Sequence, residues 1–133
     1  MTDFLQESNA ALVREFHLAF NTPVDQAIIK GSLLRLRLAL ISEESKEFLE
    51  AIENYTVYPD FPIENVAKEL ADLLYVLYGF AVTYGIDIDE VFYQVHKSNM
   101  SKLGDDGKPV YREDGKIMKG PNYKPPQLEF IFK

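Results

Sequence analysis

The stretch LADLLYVLYGFAVTY, residues 70–84, decides the fold. Its only charged residue is Asp72, and on a helix its apolar side chains fall nearly all round the axis. A helix of this kind is buried in a globular protein, so we predict that residues 63–84 form the central helix, with Gly85 as its C-terminal cap. A lone carboxylate on such a helix calls for a physical explanation.

The preceding helix, predicted over residues 30–54, contains the motif Glu43-Glu44-Ser45-Lys46-Glu47. Its apolar stripe is formed by Leu33, Leu36, Leu40 and Ala51. At about 100° per residue, Glu44 and Glu47 point within this stripe and Glu43 lies at its edge. Two glutamates therefore occupy positions where leucines are expected.

The two helices are predicted to form an antiparallel hairpin that turns near Tyr58. In that register Glu47 lies level with Glu69, and Glu44 lies level with Asp72. The result is two rungs of facing carboxylates, one helical turn apart. Apart from Arg37, no Lys or Arg is expected on the same faces at matching positions. The sequence leaves open whether Arg37 reaches a phosphate or pairs across a subunit interface.

Unpaired carboxylates at such positions repel one another and are poorly solvated, which costs several kcal/mol unless a cation compensates them. An all-oxygen ligand set favours Mg²⁺ or Mn²⁺ over zinc, and four or five acids could hold more than one ion. A single motif of this kind usually marks a solvated face, but the two in mutual register favour a metal site. A di-iron bundle would need Glu-x-x-His. Arg14 and Tyr93 stand three residues before the two histidines, which we interpret as surface or structural residues.

The composition limits the function classes. The chain has 133 residues, predicting one domain, and 14 basic against 21 acidic residues give a net charge of −7. That balance argues against a dedicated nucleic-acid binder. The absence of cysteine excludes disulfides, thiolate zinc sites and a cysteine nucleophile. The longest apolar run, residues 73–82, is too short for a membrane span, and the N-terminus is unlike a signal peptide. We therefore expect a cytoplasmic protein that does not contact membranes.

The rest of the chain completes an all-α fold. A first helix is predicted over residues 3–20. A fourth begins after the cap Asp87, with Glu90 as capping-box partner, and ends near residue 103. Its predicted inward residues are Ile88, Val91, Phe92 and Val95. Residues 104–133 form an irregular arm with a short β-hairpin on the turn Asp114-Gly115, and we assign them to the same domain as residues 1–103.

Glu-Glu-x-x-Glu followed by Glu-x-x-Asp on the next helix resembles the motif set of the all-α nucleoside triphosphate pyrophosphohydrolases. This superfamily includes MazG proteins, dimeric dUTPases and phosphoribosyl-ATP pyrophosphohydrolases. The likeness covers residues 30–103 and includes residues 72–79 and 95–102. It implies a four-helix MazG-like unit completed by oligomerisation, as a homodimer or homotetramer.

The resemblance also implies roles for individual residues. It makes Glu44, Glu47, Glu69 and Asp72 the Mg²⁺ ligands, with Mn²⁺ as a possible substitute. Glu43, Glu44 and Glu47 become the catalytic residues, Glu43 being either a further ligand or the base that orients water. The expected substrate contacts are Asn99, Lys102, Arg37 and Lys119.

The implied reaction is Mg²⁺-dependent hydrolysis of a nucleoside triphosphate, dUTP or a non-standard nucleotide included, to the monophosphate and pyrophosphate. Two alternatives stay open. One is the same chemistry on phosphoribosyl-ATP, and the other is a non-catalytic helical interaction module that binds a structural cation. The aromatic residues are consistent with base stacking or with a core or interface role (Phe16, Phe20, Tyr75, Tyr78 and Tyr84).

Overall fold

The computed structural model describes residues 7–132 and confirms an all-α chain with a short β-hairpin. One compact unit ends at Ile86 and a second begins at Asp87. The first unit contains α1 (Asn9–Ala19), α2 (Gly31–Val57) and α3 (Ile63–Thr83). The second contains α4 (Ile88–Met100), β1 (Val110–Tyr111), β2 (Ile117–Met118) and a 3₁₀ helix (Glu129–Phe132). The predicted division at residue 103 stays a prediction, and residues 3–6 of the predicted first helix lie outside the described part.

Local sequence explains where the helices begin and end. The Ser8 side chain accepts a hydrogen bond from the backbone N–H of Ala11 at the start of α1. α2 ends at Val57 because Tyr58 precedes a proline and is held in the extended region. At the end of α3, Gly85 has φ +66° and the N–H of Ile86 donates to the carbonyl of Ala81, which is a Schellman cap.

The first unit is held together by contacts of α3 with α2 and, less extensively, with α1. Its most buried residues include Val13, Ala51, Val82 and Thr83. The loop before α2 is fixed to the end of α3, since the N–H groups of Asp25 and Gln26 donate to carbonyls of Val82 and Thr83. This packing places the inner faces of α2 and α3 against each other.

Burial of α3 is less complete than its sequence predicts. Gly79 and residues 81–83 are buried, whereas Leu70, Leu74 and Leu77 are 42–45% exposed. The reason is that α1 and α2 cover two sides of the helix and leave a third side to solvent. An apolar strip of α3 therefore stays uncovered within this unit.

The second unit consists of α4 and the arm that packs against it. The Asp87 side chain caps α4 by accepting from the N–H of Glu90, as predicted. The expectation that Phe92 faces inward is wrong, because its side chain is 70% exposed. Ser98 is buried instead, and its hydroxyl donates to the carbonyl of Lys124 at 2.7 Å. The inner face of α4 is partly polar because it binds the backbone of the arm.

The arm has the predicted hairpin and one very close contact with the end of α4. Val110 pairs with Met118 in the antiparallel register, and Gly115 turns the chain with φ +89°. The N–H of Gly120 donates to the carbonyl of Lys102 at 2.9 Å. A Cβ at position 120 would lie 2.7 Å from that carbonyl oxygen, so only glycine fits there.

Within residues 7–132 no single helix is long and apolar enough to cross a membrane. Only α3 and α4 taken together, across the break between them, reach the required length and composition.

Candidate active site

Three glutamates converge between α2 and α3. Glu44 and Glu47 come from α2 and Glu69 comes from α3, and one carboxylate oxygen from each lies within 4.8 Å of the others. All three side chains are partly buried. We call Glu44, Glu47, Glu69 and the adjacent Asp72 the carboxylate cluster. The antiparallel register predicted for the two helices accounts for this convergence.

Burial and the neighbouring acids act together on Glu44. Burial is the main cause that raises the pKa of its carboxyl above the ordinary value, followed by the charge of Glu47 and a hydrogen bond to it, and then by the charges of Asp72 and Glu43. One oxygen of Glu44 and one of Glu69 (each Oε2) are buried and have no hydrogen-bond partner among the described residues. Buried carboxylate oxygens without partners are costly unless a cation binds them.

Lys68 supplies a positive charge that the sequence reasoning missed. Its ammonium lies 2.7 Å from the carboxylate of Asp72 and 3.5 Å from that of Glu69. The expectation that only Arg37 would bring a positive charge to these faces is therefore wrong. The signal was present, since Lys68 and Asp72 are spaced i,i+4 on one helix. The Lys68 side chain is 69% exposed, so this pair contributes little to stability.

The donor set fits a hard divalent cation. Every donor is a carboxylate oxygen, which Mg²⁺ and Mn²⁺ prefer, and the buried oxygens without partners point to a missing positive charge. Ligands spread over 4.8 Å can contract around an ion with oxygen distances near 2.1 Å, or hold more than one ion. The residues present therefore fit the metal that the sequence predicts.

Two other predicted residues of the first unit lie at different distances from this cluster. Glu43 is exposed on α2 beside Glu44, and its charge acts on that residue. Arg37 is 8% exposed and lies seven residues, or roughly 10 Å, before Glu44 along α2. The Nη1 group of Arg37 lies 3.4 Å from Nε2 of the buried His17. Contact of either residue with a substrate stays a prediction.

The remaining predicted substrate contacts belong to the second unit. Asn99 is exposed near the end of α4, and Lys102 is partly buried just beyond it. The ammonium of Lys119 lies 4.6 Å from the centre of the Tyr123 ring. Because Gly120 donates to the carbonyl of Lys102, the backbone at Lys119 lies close to the backbone at Lys102. Their contact with a substrate also stays a prediction.

The aromatic residues of α1 and α3 pack with one another. The Phe16 ring lies 4.5 Å from Phe20 and 5.6 Å, edge-on, from Tyr75, measured between centroids. The Phe80 ring lies 5.0 Å from the Tyr84 ring, and the two rings are tilted by 59°. Phe20 is 68% exposed and Phe16 and Tyr75 are each 41% exposed, so both interpretations of the aromatic residues stay predictions.

The comparisons with known proteins agree with this geometry. The family model for phosphoribosyl-ATP pyrophosphohydrolase matches residues 13–99. A solved structure from Exiguobacterium sp. 255-15, described provisionally as an NTP pyrophosphohydrolase, is 29% identical, with 96% of this chain and 95% of that chain covered at a TM-score of 0.51.

One curated relative, the uncharacterized protein L479 of Acanthamoeba polyphaga mimivirus, is 28% identical over 132 residues. That match covers 90% of this chain and 46% of the relative, so the chain spans about half the length of that protein. The family match covers well over half of the chain and includes the whole carboxylate cluster. The chain belongs to the phosphoribosyl-ATP pyrophosphohydrolase family, within the MazG-like nucleoside triphosphate pyrophosphohydrolase superfamily.

Proposed function

We propose that this protein is a Mg²⁺-dependent nucleoside triphosphate pyrophosphohydrolase. The observation that carries the proposal is the convergence of Glu44, Glu47 and Glu69 with two buried oxygens that have no partner. Membership of the family and the likeness to the Exiguobacterium protein support the same chemistry. The substrate is a nucleoside triphosphate, and dUTP or a non-standard nucleotide are candidates.

In this mechanism the carboxylate cluster holds Mg²⁺. When bound, the ion neutralises phosphate charge and lowers the pKa of water. Glu43, exposed beside the cluster, orients the attacking water and accepts its proton. A bond forms from the water oxygen to the α-phosphorus while the bond from that phosphorus to the α,β-bridging oxygen breaks. The products are the monophosphate and pyrophosphate.

The cationic and amide residues named from the sequence complete the proposal. Lys102 and Lys119 neutralise the leaving pyrophosphate, and Asn99 donates to a phosphate oxygen. Each can supply an N–H donor to the anionic oxygens, as the charge that develops in phosphoryl transfer requires. Arg37 acts as a substrate contact at the far end of the site, and its burial would make such a contact strong.

A second candidate activity is hydrolysis of phosphoribosyl-ATP, which the description of the matching family model favours. The reaction is the same, with a pyrophosphate leaving group and a different nucleoside portion. A panel assay separates the candidates by measuring pyrophosphate release from ribo- and deoxynucleoside triphosphates and phosphoribosyl-ATP, with Mg²⁺, with Mn²⁺ and with a chelator. The proposal expects metal-dependent release from triphosphates. Metal-dependent thermal stabilisation without turnover on any substrate would identify the non-catalytic module instead.

We also propose that the chain works as a homodimer or homotetramer in the cytoplasm. The exposed strip of α3 supports the oligomer, since Leu70, Leu74 and Leu77 would be buried by a second copy. Light scattering at micromolar concentration checks this. A monomeric mass at every concentration would contradict it.

A further inference from the structure

A cavity of about 440 Å³ adjoins the carboxylate cluster in the first unit. Glu47 and Glu69 of the cluster form part of its lining, so an ion held by these residues would lie at its edge. Away from the cluster, the cavity is lined by the side chains of Asn54, Phe61 and Asn65. Its volume falls in the range of small-molecule sites, about 300–1,000 Å³.

The lining away from the cluster combines an aromatic ring with two amides. Phe61 is partly buried in the turn between α2 and α3, where its N–H donates to the carbonyl of Tyr58. The side-chain amides that form hydrogen bonds within residues 7–132 belong to other residues, namely Asn9, Gln26, Gln94, Asn122 and Gln127. The amides of Asn54 and Asn65 are thus available to a ligand, each with donors and an acceptor.

The distances along the helices suit a ligand whose phosphates reach the cluster. Asn54 lies seven residues after Glu47 on α2, a rise of roughly 10 Å. Asn65 lies four residues before Glu69 on α3, a rise of roughly 6 Å. A nucleoside joined to a triphosphate at the cluster therefore extends toward both amides when it enters the cavity.

The charge of the cavity favours a neutral group there. Glu47, Glu50 and Glu69 line it, and the cation among its lining residues, Lys68, is paired with Asp72 and Glu69. A second anionic group would be repelled, whereas an uncharged base can stack on a ring and bond to amides.

We propose that this cavity receives the nucleoside portion of the substrate, with Phe61 stacking on the base and Asn54 and Asn65 reading its hydrogen-bonding edge. This inference rests on the proposed function, since it takes the triphosphate to lie at the cluster. Stacking tolerates every base, but amide contacts distinguish one base from another. The two kinds of residue therefore have different kinetic signatures.

The test compares kcat/KM of the full-length protein for ATP, GTP, CTP and UTP. In Phe61→Leu, kcat/KM falls roughly tenfold for all four substrates through a higher KM. In Asn54→Ala and Asn65→Ala, the ratio of kcat/KM between the best and worst base changes roughly tenfold or more. Tyr55→Ala is the matched control, since Tyr55 neighbours Asn54 on α2 but does not line the cavity. Thermal melting establishes that each variant is folded.

The outcomes separate this inference from the proposed function. Changed base ratios in either Asn variant support the inference. Unchanged ratios in both Asn variants of an active enzyme overturn it and leave the proposed function standing. A wild-type protein that hydrolyses no nucleotide in this assay and none in the panel assay, dUTP included, overturns both.

Discussion

Arg37 and the carboxylate cluster lie about two turns apart along α2, and each brings charge into the interface with α3. Arg37 is 8% exposed and approaches the neutral acceptor Nε2 of His17. His17 can accept there because its Nδ1 donates to the carbonyl of Pro23. Within the described part of the chain, Nε of Arg37 is buried without a partner, and in the cluster Glu44 and Glu69 each retain a buried oxygen without a partner.

The two ends differ in the sign and the number of the charges that they bury. At Arg37 the chain supplies Nε2 of His17 as a hydrogen-bond acceptor. It also places Gly79, which has no side chain, beside the guanidinium. At the cluster it places four acids together and supplies one exposed lysine. Among residues 7–132, the first arrangement buries one cation that has a single hydrogen-bond partner and an unpaired Nε, whereas the second gathers several acids that need an external cation.

The largest expected effect comes from neutralising a cluster carboxylate. Glu47→Gln and Asp72→Asn should each lower kcat at least about a hundredfold, because each removes a charged metal ligand. Thermal melting without metal should show an unchanged or higher Tm, since the substitution relieves repulsion. Glu53→Gln is the matched control on α2 outside the cluster. Full activity in Glu47→Gln would contradict the assignment.

A smaller effect, on stability, is expected when Gly79 is replaced at the Arg37 end of the interface. An Ala in a helix interior is usually about 1 kcal/mol more favourable than Gly. Here its Cβ would lie 2.9 Å from Nη1 of Arg37 and 3.4 Å from Nε2 of His17. Overpacking costs about 1–3 kcal/mol, so after the helix gain is subtracted Gly79→Ala should lower the free energy of unfolding by up to about 2 kcal/mol, measured by urea denaturation.

A double-mutant cycle gives the control for this substitution. In an Arg37→Ala background the contact is gone, so Gly79→Ala should cost much less. Equal costs in both backgrounds would show that the guanidinium does not need the space that Gly79 leaves.

His17 should make stability depend on pH. Burial is the main cause that lowers the pKa of His17. The hydrogen bond to Pro23 acts to raise this pKa, and the charge of Arg37 lowers it further. The unfolded chain therefore takes up a proton before the folded chain does. The free energy of unfolding should fall as the pH drops below about 6.5 and continue to fall until the lowered pKa is reached.

Denaturation curves between pH 7.5 and 5 measure this dependence. The slope attributable to His17 should disappear in His17→Gln, whereas His96→Gln should keep it, because His96 is exposed. A wild-type slope in His17→Gln would place the titrating group elsewhere.

The smallest effect is expected at Lys68. Its ammonium competes with a metal ion for Asp72, but the pair is exposed and therefore weak. Lys68→Met should tighten Mn²⁺ binding about two- to fivefold, with little change in the metal-free Tm. Lys46→Met removes an exposed charge on α2 and serves as the control. Equal tightening in both variants would show that the net charge of the protein, and not the pair of Lys68 with Asp72, controls Mn²⁺ binding.

Much of the first unit could be predicted from its sequence because periodicity and turn chemistry agree there. The spacing of Glu44, Glu47 and Glu69 and a turn near Tyr58 together predict a register in which the three acids converge, as the structure shows. The same approach missed Lys68, although its i,i+4 spacing from Asp72 places it close to that acid, because the apolar stripe was used to look for charges and Lys68 lies outside it. A flexible four-carbon stem can bring its ammonium to a neighbouring face.

The second unit was harder to predict because its packing is polar. Periodicity places Phe92 inward, yet the buried residue is Ser98, whose partner is a backbone carbonyl 26 residues away. No local sequence pattern predicts a hydrogen bond to an irregular arm so far along the chain. The same holds for His17 of the first unit, whose ring contacts an arginine from another helix.

Equilibrium binding of Mn²⁺, followed by electron paramagnetic resonance, tests the central claim most directly. The account predicts at least one ion bound per wild-type chain, displaced by Mg²⁺, and loss of that binding in the Glu47→Gln/Glu69→Gln double variant with the helical fold intact. A wild-type chain that binds no ion at millimolar Mn²⁺, or a double variant that binds as the wild type does, would contradict it.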